Sequence, residues 1–234
     1  MERITEVNEQ ILYENPKVLT INNIISDEEC NHMINIATPN LVDSVVSDDK
    51  GGYVSKGRTS KTSWILHNYD NITKSIAERI AKIVDAPLIN AERYQVVYYG
   101  VSHEYRQHYD AWEHDGSDKA LRCIKQGGQR LWTALVYLND VEEGGDTRFT
   151  KLDINVKAEK GKLLIFQNTL TDTNIKHPLS EHAGMPVVKG EKYIFNLWFR
   201  ECERTRLYSD FNPEYYKNPK TNGDMYKIKI TDSE

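Results

Sequence analysis

His108-Tyr109-Asp110 places an imidazole and a carboxylate two residues apart. In an extended segment such residues point to the same side, about 6.6–7 Å apart along the chain. From there both can lean onto one ion; one residue closer would send them to opposite faces. His182 stands seventy-odd residues further on, and Lys192 follows it by ten. Two histidines and one carboxylate can hold Fe(II) on one face and leave the other open. A lysine at a fixed distance could then bind the far end of a dicarboxylate chelating the same metal. If the four residues converge, the chemistry is oxygen activation.

Spacing alone leaves other readings open. The chain carries seven histidines, and an isolated HxD reads equally as a surface histidine beside a turn aspartate. His103, His114 and His177 are rival donors, and His182 by itself reads as a half-buried histidine. Lys192 opens the apolar segment Tyr193-Ile194-Phe195-Asn196-Leu197-Trp198-Phe199. A lysine there is either at an exposed strand end or paired with an anion.

The elements that must carry these residues can be read from periodicity. Val18 to Ile25 is rich in β-branched residues and predicts a strand. Ser26 with Glu29 three residues on is a capping-box signature, and the helix after it sets Met33, Ile34 and Ala37 on one face. A second helix begins near Asp70, where Ile72, Ile76, Ile80, Ile83 and Val84 recur at helical spacing, and Pro87 closes it. These helices form a support layer. From Glu92 onward the chain becomes β-rich: Arg93–Tyr99, Leu131–Leu138, Lys162–Gln167 and Lys192–Phe199, separated by turns such as Glu142-Glu143-Gly144-Gly145-Asp146 and Lys189-Gly190. Many short strands predict a sandwich or barrel. The polar, glycine-rich Ser47–Gly57 reads as a mobile loop, either a plain surface loop or a lid over substrate.

The 234 residues divide into a polar N-terminal extension (1–17), one domain (18–200) and a polar, tyrosine-bearing C-terminal extension (201–234). A net charge of −5 without an evident basic stripe argues against nucleic acid as a partner. No apolar run approaches the ~18 residues a membrane helix needs. The first residues lack the basic and apolar regions of a signal peptide. Cys30, Cys123 and Cys202 form no CxxC and suggest reduced, structural thiols. The expectation is a cytoplasmic protein.

Further blocks surround the four residues: Arg58-Thr59-Ser60 with Trp64, Tyr98-Tyr99-Gly100, Gln129-Arg130, Tyr137 to Thr147, Lys160-Gly161 with Leu164-Ile165-Phe166, and His182 to Lys192 ending at Trp198. In order and spacing, over roughly residues 18–200, they resemble the catalytic domain of prolyl 4-hydroxylases, within the Fe(II)/2-oxoglutarate dioxygenases. The resemblance implies a mainly β, α+β fold: a double-stranded β-helix, or jelly roll, with helices packed on one side. It implies that His108, Asp110 and His182 bind Fe(II), and that Lys192, Tyr99 and Thr147 bind the cosubstrate 2-oxoglutarate. It places Arg130, Tyr105, Trp198 and Arg58 at the peptide substrate. It further implies O2 as second cosubstrate, ascorbate as reductant, and a protein or proline-rich peptide as partner.

Three features depart from the family pattern: Arg200, where relatives often carry a histidine; the stretch Ala111–Gly128; and the tail after Glu201. They leave the iron chemistry intact and bear on the substrate. Beside a peptidyl-proline 4-hydroxylase, two alternatives stand at this point: a 2-oxoglutarate hydroxylase for another substrate, and a non-catalytic jelly-roll binding or sensing module, since fold does not fix function.

Overall fold

Strand and helix signals alternate along the chain, and the computed structural model follows them over the residues it describes, 9–48 and 52–203. The first part runs β1 (Glu9–Glu14), β2 (Lys17–Ile21), α1 (Asp27–Ala37), β3 (Val42–Asp43), β4 (Val45–Val46), β5 (Tyr53–Val54), β6 (Lys61–Ile65) and α2 (Asn71–Val84). The second runs β7 (Tyr94–Tyr99), β8 (Tyr105–His108), α3 (Asp118–Ile124), β9 (Arg130–Tyr137), β10 (Glu143–Gly144), β11 (Thr147–Phe149) and β12 (Ile154–Val156). It ends with β13 (Leu163–Gln167), β14 (His182–Gly184), β15 (Val187–Lys189) and β16 (Lys192–Arg200). No described helix is long and apolar enough to cross a membrane.

Eight strands form one antiparallel sheet in the order β1-β2-β13-β9-β16-β7-β6-β3, and β12-β11-β14-β8 form a second. The ladders β4–β5 and β10–β15 complete the strand pairing. This is the mainly β jelly roll with a helical support layer that the resemblance implies.

Strand alternation sends successive side chains of the large sheet to opposite faces. On β16, Tyr193, Phe195, Leu197 and Phe199 pack into the core shared with Cys30, Met33 and Ala37 of α1 and Ile76, Ala77 and Ile80 of α2. Each fully buried side chain of this kind contributes roughly 1.5–3 kcal/mol. The alternate residues Lys192, Ile194, Asn196 and Trp198 face the other way and line a cavity. One strand therefore anchors the support layer with one face and builds the site with the other.

The helices start where their caps predict. The Ser26 side chain accepts from Glu29 N–H while Glu29 bonds back to the cap, and Asp70 caps α2 through Thr73 N–H. The α2 helix ends at Asp85, which takes the left-handed conformation (φ 55°), two residues before Pro87. Ile34 is half-buried as expected, whereas Ile72, in the first turn, is 38% exposed. Two stretches read as irregular are strands. Residues 9–14 pair with β2 at the edge of the large sheet, and the Ser47–Gly57 loop carries the second strand of the β4–β5 ladder, with residues 49–51 outside the described set. Of the C-terminal extension, residues 204–234 lie outside the described residues.

Candidate metal and cosubstrate site

His108 ends β8 and His182 begins β14, and the two strands pair so that these residues face each other across the ladder. Asp110 follows β8 by two residues, so the same-side spacing of His108 and Asp110 is realised. His108 Nε2 lies 3.8 Å from Asp110 Oδ1, and His182 Nε2 lies 3.7 Å from Asp110 Oδ2. One donor atom from each residue lies within 4.8 Å of the others. Among the described residues no other trio of His, Cys, Asp or Glu comes together in this way. His103, His114 and His177 stand outside it.

The tautomers are fixed by backbone carbonyls, which can only accept. His108 Nδ1 donates to Arg106 O (2.8 Å) and His182 Nδ1 donates to Ser180 O (3.0 Å). Both Nε2 atoms are thereby left facing the Asp110 carboxylate, beyond hydrogen-bond reach. Burial, and then the neighbouring His182, push the His108 ring well below its usual pKa, so it stays neutral and able to ligate. Burial works to raise the Asp110 carboxyl. His182, His108 and Arg130 nevertheless hold it below the ordinary carboxylate range, with help from the Trp198 indole. Two imidazole Nε2 atoms converging on one buried carboxylate make a donor set that suits a divalent cation.

Lys192 lies on the same cavity wall. It opens β16 directly opposite Tyr99 on β7, and only 1% of it is exposed. Its Nζ sits 5.1 Å from the centre of the Tyr99 ring and 5.5 Å from that of Tyr137. Among the described residues no carboxylate lies within 4.0 Å of it. Burial pushes the amine down to about 7, opposed by the more distant Asp146. A buried ammonium without a close counter-ion is a costly arrangement that an incoming anion relieves.

Thr147 is brought beside it by the turn after β10. Gly144 has φ +75°, and a Cβ there would lie 2.4 Å from Pro186 O, so only glycine fits. Thr147 Oγ1 accepts from the Tyr137 hydroxyl (2.7 Å). Tyr137, not singled out from the sequence, thus supplies both a ring beside Lys192 and the partner of Thr147. Its place in the Tyr137–Thr147 block was the available signal.

The cavity measures about 540 Å³ and is lined by the three donors, Lys192, Tyr99 and Thr147 together. Its outer part contains the four residues assigned to substrate. The Tyr105 ring stacks on the His108 imidazole (3.5 Å, 17°), with the Arg58 guanidinium 4.5 Å from the Tyr105 centroid. Arg58 also donates to Val45 O and Gln95 Oε1. Arg130 lies 3.7 Å from the Trp198 ring centroid and 4.8 Å from that of Trp112, held from behind by Glu92 (2.6 and 3.0 Å). Trp64 continues the row at 6.3 Å from Trp198.

Arg200 does not line the cavity. It is buried against Glu92 (2.8 Å) and donates to the carbonyls of Cys123, Gln126 and Gly128. The Ala111–Gly128 stretch that departs from the family pattern supplies the outer wall, including Trp112 and part of α3. Neither role could be read from local pattern, because the contacts of Arg200 lie more than seventy residues away in sequence.

Comparison with known proteins agrees with this arrangement. Residues 94–200 match the model of the 2OG-Fe(II) oxygenase superfamily. A protein of Acanthamoeba polyphaga mimivirus named as a prolyl 4-hydroxylase is 39% identical over 185 residues, covering 79% of this chain and 74% of the relative. Prolyl 4-hydroxylase 5 of Arabidopsis thaliana is 33% identical over 209 residues, covering 80% and 69%. Among solved structures, the 2OG complex of a viral collagen prolyl hydroxylase from Paramecium bursaria Chlorella virus-1 superposes with a TM-score of 0.63 at 29% identity. That match covers 78% of this chain and 95% of the viral one.

Proposed function

Because the chain belongs to the prolyl 4-hydroxylase-like branch of the 2OG-Fe(II) oxygenases, we propose that this 2-oxoglutarate-dependent dioxygenase hydroxylates C4 of proline in a protein or proline-rich peptide. The observation that carries the reading is one continuous cavity. Its inner part joins the three donors to a buried lysine, and its outer part is a row of aromatic faces.

His108, Asp110 and His182 would hold Fe(II), and their donor set fits it: two neutral imidazoles and one carboxylate. When bound, Fe(II) with 2-oxoglutarate and O2 supplies the oxidising chemistry, in which the cosubstrate is decarboxylated to succinate and one oxygen atom goes to a substrate carbon. Lys192 would neutralise the distal carboxylate of 2-oxoglutarate, and the hydroxyls of Tyr99 and Thr147 would orient it. Tyr99 is buried and its hydroxyl is pushed up to about 12, so it remains a donor at neutral pH. The low-polarity walls beside Lys192 exclude water and strengthen its pairing.

Trp198, Trp64 and Tyr105 offer flat apolar faces of the kind that pack proline rings. Arg130, fixed by Glu92 and stacked on Trp198, presents its remaining donor positions to a peptide carbonyl. Arg58, lodged between Tyr105 and Gln95, positions the Tyr105 ring. Ascorbate is the proposed external reductant, and the cytoplasm the proposed location.

The test is turnover over a panel of proline-containing peptides with Fe(II), 2-oxoglutarate, O2 and ascorbate, the products mapped by mass spectrometry. The expected result is one oxygen atom added at proline, absent in His108→Ala and Asp110→Ala, which also lose Fe(II) binding. Consumption of 2-oxoglutarate with no peptide change would move the substrate outside peptidyl proline. Failure to bind Fe(II) and 2-oxoglutarate at all would leave a non-catalytic module.

A further inference from the structure

Asp110 is held by more than its place after β8. Its Oδ2 accepts from Thr133 Oγ1 (2.7 Å) and from Trp198 Nε1 (2.9 Å). Thr133 and Trp198 lie opposite each other on β9 and β16, so the two donors come from one rung of the large sheet. Thr133 Oγ1 in turn accepts from Asn168 Nδ2 (2.8 Å). The direction of this chain is forced. A carboxylate can only accept, so the single hydroxyl hydrogen of Thr133 goes to Asp110, and its lone pair must take a hydrogen from the Asn168 amide. Two hydrogens therefore load Oδ2. Among the described residues Oδ1 accepts none.

The backbone around Asn168 leads toward the segment that carries the second histidine. The Asn168 backbone carbonyl accepts from His177 N–H (2.8 Å), and the Ser180 hydroxyl donates to His177 O (2.9 Å). The Ser180 carbonyl accepts from His182 Nδ1 (3.0 Å). Thr133, Asn168 and Ser180 are each fully buried. Asn168 Oδ1 has no hydrogen-bond partner among the described residues. An unsatisfied buried amide oxygen costs stability, and an apolar residue would avoid that cost. What the amide contributes is the hydrogen its nitrogen donates to Thr133.

From this we infer that Thr133 and Asn168 are positioning residues for the metal. They fix the Asp110 carboxylate with Oδ2 loaded by two hydrogens and Oδ1 left to ligate. The inference rests on the proposed function above, since it assigns a purpose to a carboxylate that only a bound cation uses. Partners that orient a ligating carboxylate are worth about 10–100-fold in metal affinity.

The experiment is anaerobic titration of the metal-free full chain with Fe(II), and separately with Mn(II), in the absence of 2-oxoglutarate and peptide. Thr133→Val keeps the shape and removes the hydroxyl, and is expected to weaken binding of both ions by about 10–100-fold. Thr133→Ser keeps the hydroxyl and is expected to bind like the parent. Asn168→Leu keeps the backbone bonds to Leu131 and His177, and is expected to weaken binding in the same direction. It also serves as the second variant should Thr133→Val not fold, with circular dichroism of the metal-free proteins as the folding control. Folded variants should also shift the visible charge-transfer band that appears when 2-oxoglutarate joins Fe(II). Parental affinity and an unshifted band in folded Thr133→Val or Asn168→Leu would overturn the inference and leave the proposed function standing. A parent chain that binds neither ion would overturn the function first, and the inference with it.

Discussion

The cleft has two walls, and they are held in place by different forces. On the inner wall, strand register does the positioning. His182 lies opposite His108, and Lys192 opposite Tyr99. Each side chain points where the two-residue alternation sends it. On the outer wall, the segment from Ala111 to Gly128 contains one short helix, Asp118–Ile124, and is fastened by a small apolar cluster of Ala120 and Ile124 with Trp112, Leu121 and Ile175, and by polar contacts. Arg200 donates to three of its carbonyls, and Gln129, itself fully buried, exchanges hydrogen bonds with both backbone groups of Trp112 (2.9 Å each). Glu92 lies beneath both walls, bonded to Arg130 and Arg200. The inner wall should therefore control cosubstrate and metal, and the outer wall should control the peptide, with little exchange between them.

The strongest challenge to that division is Lys192→Ala. Removing one partner of a buried ion pair costs roughly 3–5 kcal/mol, a rise of about 10²–10³-fold or more in the 2-oxoglutarate requirement. Fe(II) affinity without cosubstrate should hold, and so should peptide affinity. The amine also gives a pH signature. With its pKa near 7 in the free protein, it is increasingly neutral as pH rises above 7, whereas a paired carboxylate favours the ammonium and raises its pKa. Binding of 2-oxoglutarate above pH 7 should thus take up a proton and weaken as pH rises. Calorimetry in two buffers of different ionisation enthalpy reads that proton directly. An unchanged 2-oxoglutarate requirement in Lys192→Ala would remove the lysine from the site.

A second, smaller effect is expected from Arg200→Ala. It strips Glu92 of a cationic partner and releases three carbonyls of the outer wall. A loss of about 3 kcal/mol in stability follows, at the low end for a broken buried pair because Arg130 still neutralises Glu92. Amide exchange should quicken across residues 111–128, and the peptide KM should rise. Fe(II) and 2-oxoglutarate binding should stay near the parent's. Equal loosening of β8 and β14 would show that the walls are one cooperative unit.

The same contrast explains what could be read from the sequence. The capping box at Ser26, the isoleucine spacing of α2 and the apolar alternation of β16 are local and periodic, so they announce their elements. The HxD spacing needs only extended backbone to be meaningful, and the ordered blocks around it resolve the rivalry of His103, His114 and His177. Arg200 could not be read in this way. Its partners are Glu92, far upstream, and backbone carbonyls that carry no sequence identity. Thr133 and Asn168 were illegible for a related reason: a threonine on a buried strand reads as β-branched packing, and only the fold reveals the carboxylate beside it. The strand at residues 9–14 was hidden by composition, because an edge strand with one half-buried residue, Leu12, needs little apolar signal.

The smallest expected effect is also the most direct probe of the outer wall. Trp112 sits 4.8 Å from Arg130 and 4.7 Å from Arg200, measured from its ring centroid, and its indole reaches the cleft that Trp198 and Trp64 line from the other side. It is the one aromatic cleft residue contributed by the divergent stretch. If the outer wall selects peptide, Trp112→Ala should raise the peptide KM by about 3–10-fold, on the order of 1 kcal/mol for truncating a contact that is not the centre of an interface. Turnover at saturating peptide and the 2-oxoglutarate requirement should not move, since no group on the inner wall loses a partner. Trp112→Phe keeps a flat face beside Arg130 and should fall between. A fall in maximal turnover with an unchanged peptide KM would mean that Trp112 acts through Arg130 upon Asp110 of the inner wall, and the two walls would then have to be treated as a single mechanism.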